Sequence, residues 1–294
     1  MLGERLKDDT TEYAAPCVLL LGGFDGLHIG HKKLIDCAKT YALPVGITTI
    51  EGGKGQSVFT LSERQKIFER QGLDFFHAFT FTEEFKNTSK EDFLSSLMQN
   101  FNVKAFVCGK DFRFGKLAQG TPEFIAQFTN IPVHALDILS VDNHKVSASS
   151  VKEYLKNGQI KKSNELLLQP FFVSGIVEEG RRTGRTLGFP TANLSYPKEK
   201  FPLQEGVYAV HTVLNEKRYN GIANFGPCPT FGVEYRKLEA YFDGFEGDLY
   251  GQEIDVYFDD YLRDIKKFET VEALQAQLKA DIRSVRNVFT EGKE

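Results

Sequence analysis

The chain has 294 residues, 41% hydrophobic and 26% charged, with a formal net charge of −4 at pH 7. That length accommodates two ordinary domains, each with its own core. The mild acidity excludes a general binder of nucleic acid or membrane surfaces, which needs a broad basic field; local basic loops can still hold a small phosphorylated ligand. Cysteines stand at positions 17, 37, 108 and 228, too scattered for a metal cluster or a CxxC pair. Cys17 and Cys108 lie in apolar runs and are expected as buried thiols in a reducing compartment. The N-terminal stretch has no apolar signal core, and no run approaches membrane-spanning length, so the expected location is the cytoplasm. Composition and periodicity leave the oligomeric state open.

In chain order, the first half alternates short apolar runs with helical patterns. Strands are expected at 18–21, 45–50, 75–79, 105–108 and 133–136, and helices at 31–39, 62–71, 89–100, from Thr121-Pro122-Glu123 onward, and at 149–157. Ser62 and Gln65 have capping-box spacing, and Gly72 is placed as a C-terminal stop. Thr121, Pro122 and Glu123 stand in the order of cap, proline and acid that opens a helix. Such alternation predicts a parallel sheet covered by helices on both faces. After Pro170 the texture changes to strand candidates at 171–177, 206–213, 218–224, 237–243 and 253–261, with a tight hairpin at Asn215-Glu216. These predict a small antiparallel barrel. A final helix over 270–289 would pack against it with Val271, Leu274, Leu278 and Ile282. The change of texture divides the chain into domains 1–168 and 169–294.

The first chemical constellation is Gly22-Gly23-Phe24-Asp25-Gly26-Leu27-His28-Ile29-Gly30-His31. It sits where strand one hands over to helix one, the ligand edge of an open α/β sheet. His28 and His31, three apart at a helix N-terminus, face the same way, and the helix dipole adds positive potential for a phosphate. Gly26 and Gly30 leave room for a nucleotide against the backbone. Two imidazoles there can donate hydrogen bonds to a triphosphate and to the charge developing during in-line attack. A zinc pair is poorly supported, since no cysteine or third histidine lies nearby in sequence; two surface histidines are the bland alternative. The GxFDG turn followed by HxGH resembles the nucleotidylyltransferase superfamily, which implies catalytic roles for His28 and His31. It also implies nucleotide contacts for Gly22, Phe24, Asp25, Gly26 and Gly30.

At a second strand end, Gly109-Lys110-Asp111-Phe112-Arg113-Phe114-Gly115 is similar to the FMN adenylyltransferase branch of that superfamily. The resemblance implies that Asp111 holds a ribose or phosphate-linked group and that Phe112 packs on the flavin. Ordinary core packing is the alternative for Phe112 and Phe114. The family's phosphate-binding serine–threonine–arginine segment corresponds to Ser147–Lys152, which implies phosphate contacts for Ser149 and Lys152. Lys152 carries the charge without the bidentate fork of arginine. Residues 51–55 lack the proline and histidine that the family carries after strand two.

The second constellation begins with Gly180, Arg181, Gly184, Arg185 and Gly188, the composition of a loop that closes over phosphates. Phe189-Pro190 follows, then Thr191 and Asn193. If that piece is extended, both oxygen-bearing side chains share one face and suit a hard cation. The GFPTANL string resembles the nucleotide–magnesium motif of riboflavin kinases. The later strings Gly206–Val210, Tyr219–Gly232, Leu238–Phe242, Gly247–Gly251 and Tyr261–Phe268 follow the same family's order. The resemblance implies that Glu239 is the catalytic base, that Thr191 and Asn193 hold Mg2+ with the ATP phosphates, and that Arg263 contacts the flavin or its phosphate. A solvated strand glutamate and a solvated charge run are the bland readings of Glu239 and of residues 263–267.

Taken together, the halves resemble the bacterial bifunctional riboflavin kinase/FMN adenylyltransferases. That implies ATP as co-substrate, and riboflavin, FMN and FAD as substrates and products. The departures at 51–55 and 147–152 motivate a second reading, in which only the kinase is retained. A non-catalytic flavin-binding regulator is a third.

Overall fold

The computed structural model describes residues 12–53, 55–137, 140–141, 144–179, 189–230 and 233–290. The chain divides into two compact units, Met1–Ser150 and Val151–Glu294. This division lies ahead of the texture change near residue 168.

In the first unit the order is β1 (Tyr13–Leu21), α1 (Ile29–Lys39), β2 (Val45–Glu51), α2 (Leu61–Arg70), β3 (Phe75–Thr80), α3 (Glu83–Asn87), α4 (Lys90–Asn100), β4 (Phe101–Gly109), α5 (Pro122–Thr129) and β5 (Val133–Leu136). The two-residue strands β6 (Ser140–Val141) and β7 (His144–Lys145) follow. The sheet runs β3-β2-β1-β4-β5, with every neighbouring pair parallel. Cys17 to Leu21 of the central strand are buried, as a strand covered on both faces requires. Strand order reverses between β1 and β4, which opens a crevice at their carboxyl ends. Helix ends are fixed locally: Thr121 and Ser89 cap α5 and α4 through their hydroxyls. The capping box of α2 is Thr60 with Glu63, not Ser62 with Gln65. Thr60 donates its N–H to Glu63 Oε2 at 2.8 Å, and its Oγ1 accepts from Glu63 N at 3.3 Å. Ile67 and Phe68 of this helix are fully buried. Gly72, at φ +65°, follows the helix as expected.

The second unit contains α6 (Ala148–Lys156, entered from the first unit), α7 (Ile160–Leu166), β8 (Phe172–Ile176), β9 (Ala192–Ser195), β10 (Gly206–Leu214), β11 (Lys217–Thr230), β12 (Val233–Phe242), β13 (Glu253–Arg263) and α8 (Val271–Thr290). Its six strands run β8-β13-β10-β11-β12-β9, all antiparallel. The edges approach each other: Glu178, just past β8, donates its N–H to the Asn193 carbonyl of β9 at 2.8 Å. The sheet is thus a nearly closed barrel. Asn215 and Glu216 have φ of 48° and 63°, the left-handed pair of a type I′ turn. Ile282 and Val285 of α8 pack on Val207, Ala209 and Ile222. Val271, expected on that stripe, is 52% exposed; the apolar face starts one turn later, at Leu274. Both architectures are those the sequence predicts.

Candidate active sites

In the first unit, the turn after β1 is built on an unusual backbone. Phe24 has φ +43° and folds its ring back over Gly22, where any Cβ would meet Phe24 Cε2 at 2.8 Å. Gly22 therefore makes room for Phe24. His28 is the N-cap residue of α1, and its backbone N–H donates to His31 Nδ1 at 3.3 Å. The two imidazoles stack, centroids 3.7 Å apart at 18°, and Phe24 lies 4.8 Å from the His31 ring. Burial and then His28 hold the His31 imidazole well below the usual histidine range, against a hydrogen bond with the Gly26 backbone. His31 is therefore a neutral hydrogen-bonding group near pH 7.

These histidines line a cavity of about 480 Å3 at the β1/β4 crevice, together with Gly22, Phe24, Asp25, Gly30, Asp111 and Phe112. These residues thus come together from two strand ends. Three residues have a different setting. Gly26 packs on Val58, whose Cβ and Cγ2 would lie 3.2 Å from an added Cβ; the room it leaves is filled by protein. The 147–152 segment reaches the cavity wall with Ser147 and Ala148. Ser149 is exposed on α6, and the Lys152 ammonium stands 5.9 Å from the Phe201 ring centroid. Asp25, although at the cavity, also accepts the Val58 N–H at 2.6 Å and so anchors the loop that follows β2.

Sequence reasoning missed two features here. Arg64 of α2 is 1% exposed and donates to Thr49 Oγ1 and, at 2.9 Å, to the Ile50 carbonyl at the end of β2. An arginine on an amphipathic helix reads as surface, so no signal marked it. The other is an aromatic groove of about 490 Å3, lined by Phe79, Phe81, Phe85, Phe93, Phe112 and Phe114 among others. It shares Gly22, Ile50, Phe112 and Arg113 with the histidine cavity. Phe112 and Phe114 stack at 5.5 Å. Phe114 is buried at 7%, whereas Phe112 is half-exposed and faces both spaces.

In the second unit, strand register places the candidate residues in one transverse row. Arg263 pairs with Val207, Val207 with Asn224, Asn224 with Glu239 and Glu239 with Asn193. Directly opposed residues share a face of the sheet. A cavity of about 380 Å3 lies over this row, lined by Thr191, Asn224, Glu239 and Arg263 on one side and by Leu274 and Leu278 of α8 on another. Phe189 and Tyr241 form an aromatic corner, their rings 5.3 Å apart and near perpendicular. Burial, then Asp243, raise the Tyr241 phenol above its ordinary value, with Arg286 opposing, so it stays a hydroxyl. A smaller recess of about 70 Å3 shares Thr191 and adds Asn193, Asp248 and Tyr250. Glu239 is exposed to the cavity, while Asn193 is buried at 6% and donates to the Thr191 carbonyl at 3.4 Å. Gly180, Arg181, Gly184, Arg185 and Gly188 lie outside the described residues.

Among the described residues no group of three His, Cys, Asp or Glu could hold a metal ion. Thr191 and Asn193 offer neutral oxygens only. Such a donor set fits magnesium that arrives with nucleotide phosphates and keeps several waters, not a dedicated protein cage.

A riboflavin kinase family model matches residues 167–289 and an FAD synthetase model residues 10–150. The Bacillus subtilis bifunctional riboflavin kinase/FMN adenylyltransferase is 30% identical over 298 residues, covering 95% of this chain and 94% of the relative. The chain belongs to the bifunctional riboflavin kinase/FMN adenylyltransferase family. The Escherichia coli member is 31% identical over 293 residues, with 93% of each chain covered. A solved Streptococcus pneumoniae chain described as a macrolide-efflux protein is 28% identical with a TM-score of 0.82, over 93% of this chain and 99% of that one. No helix among the described residues here is long and apolar enough to cross a membrane. Against the bifunctional family, the histidine crevice lies in the FAD synthetase match and the Glu239 row in the riboflavin kinase match. Residues 151–166 fall between the two.

Proposed function

We propose that this transferase phosphorylates riboflavin to FMN in the barrel and adenylylates FMN to FAD at the histidine crevice, with ATP as donor in both reactions. The observation that carries the kinase reading is that Glu239 faces the same cavity as Thr191 and stands opposite Asn193 in register. The ribityl 5′-hydroxyl is a very weak acid. Glu239 within reach of it would orient the hydroxyl and take its proton as the oxygen attacks the γ-phosphorus and ADP departs. Thr191 and Asn193 would hold magnesium with the ATP phosphates; bound there, the ion would neutralise phosphate charge. The loop 180–188 would supply the remaining cationic donors. The aromatic corner and the α8 leucines suit the flavin ring, and Arg263 stands at their edge.

In the crevice, a phosphate oxygen of FMN would attack the α-phosphorus of a second ATP and expel pyrophosphate. The stacked histidines at the N-terminus of α1 would donate hydrogen bonds to the phosphates, aided by the helix dipole. Gly22, Phe24 and Gly30 would form the nucleotide's bed, Asp111 would hold its ribose or a phosphate-linked group, and the groove around Phe112 would take the flavin. We assign the kinase to a folding unit that includes α6 and α7.

Incubation with riboflavin, ATP and magnesium, followed by chromatography of the flavins, tests the whole reading. Formation of FMN and then FAD is expected. FMN alone would leave a single activity, and unchanged riboflavin would overturn the kinase assignment.

A further inference from the structure

Arg263 ends β13 at the wall of the Glu239 cavity, and a contact with the flavin or its phosphate is the simplest role for its charge. Its guanidinium is otherwise engaged. Nε donates to Asp281 Oδ1 at 3.0 Å and Nη2 to Asp281 Oδ2 at 2.7 Å, a bidentate fork. Nη1 donates to the Asp264 carbonyl at 3.0 Å. The side chains are 15% and 5% exposed, so the two charges compensate each other away from water. Gln277 Nε2 adds a further hydrogen bond to Asp281 Oδ1 at 2.8 Å.

Asp281 lies on α8, one turn beyond Leu278. Leu274 and Leu278 are cavity wall, and Ile282 and Val285 are anchored in the barrel's outer core. The fork therefore ties the residue that ends the transverse row to the helix that supplies the opposite wall. Apolar contact alone fixes neither the rotation nor the axial position of a helix, because it is non-directional. A bidentate pair in a fixed plane fixes both.

We propose that Asp281 is a positioning residue for the acceptor side of the kinase site: it pins the Arg263 guanidinium back in the cavity wall and sets the distance of Leu274 and Leu278 from the Glu239 row. It touches no substrate and acts through Arg263 and α8. The inference rests on the proposed kinase reading, and its test separates the two.

In the full-length protein, Asp281→Asn keeps the volume of the side chain but removes the charge that balances Arg263. The released guanidinium then competes for the cavity. The riboflavin KM should rise about tenfold or more, with kcat and the ATP KM changed by less than about threefold. Riboflavin affinity measured without ATP by flavin fluorescence should weaken in parallel. FAD formation from supplied FMN should be unaffected. Should Asp281→Asn fold poorly, Gln277→Ala leaves the ion pair and removes one hydrogen bond; a rise of about two- to threefold in riboflavin KM is expected for it. An unchanged riboflavin KM and affinity in both variants, or equal loss in riboflavin and ATP parameters, would overturn the role of Asp281. Absence of riboflavin phosphorylation by the unaltered protein would instead overturn the kinase reading.

Discussion

Glu239 and His28 define the two sites at the level of single atoms. Replacing the Glu239 carboxylate by an amide keeps its shape and removes its basicity. Glu239→Gln should lower FMN formation by about 10²–10⁴-fold and leave FAD formation from supplied FMN intact. His28→Ala should have the reciprocal effect, with adenylyl transfer reduced by about 10²–10³-fold. Chromatographic assay of each half-reaction in both variants checks the pair; equal loss of both activities in either variant would contradict separate sites. His31 links the crevice to pH. Its imidazole is held well below the usual range, chiefly by burial, so the unfolded chain takes up a proton that the folded chain refuses. The resulting stability is present above about pH 6.5 and is lost as pH falls below it. Thermal unfolding followed from about pH 7 down to about pH 5 should fall less steeply in His31→Asn than in the unaltered protein.

Single elements carry constraints that no site residue reveals. β11 crosses the middle of the barrel between β10 and β12, and Gly221 pairs there with Val210 and Phe242. A Cβ at Gly221 would fall 1.9 Å from the Tyr241 carbonyl oxygen and 2.9 Å from its carbon. Both are backbone atoms of a paired strand and cannot step aside without breaking the ladder that holds Tyr241 and Glu239. Gly221→Ala should therefore destabilise the second unit by roughly 3 kcal/mol or more, read as a lower urea midpoint. Most elements were legible because their signals are local. Thr121-Pro122-Glu123 specified the start of α5, and Asn215-Glu216 specified the hairpin. Before α2 two equally spaced capping boxes overlap, Thr60 with Glu63 and Ser62 with Gln65, and the folded helix uses the first. No local pattern ranks those two starts.

Across the whole chain, the division into units leaves α6 and α7 with the barrel. Asn164 of α7 donates to the Phe258 carbonyl and accepts the Phe171 N–H, each at 2.8 Å. The Leu155 carbonyl accepts from Gln204 at 3.1 Å. Phe171 and Phe258, edge to face at 5.6 Å, are fully buried. A barrel fragment beginning at residue 167 loses Asn164 and Leu155, whereas one beginning at 151 keeps them. The shorter fragment should melt more than about 5 °C below the longer, as measured by circular dichroism.

The alternation of strands and helices, the barrel's strand spacing and the motifs around His28, Thr191 and Glu239 were all readable from residue order. Each is an arrangement of near neighbours along the chain, with a period or turn chemistry of its own. The tertiary structure alone decided which distant residues meet. Register put Arg263, Asn224, Glu239 and Asn193 in one row across five strands. Packing of α8 on the barrel brought Asp281 to Arg263, a pairing that no motif in the sequence marks. The aromatic groove is likewise assembled from β3, α3, α4 and the loop after β4, where each phenylalanine alone reads as core. Pairing across a sheet and burial of a charge depend on what lies opposite in space, and sequence spacing carries no record of that.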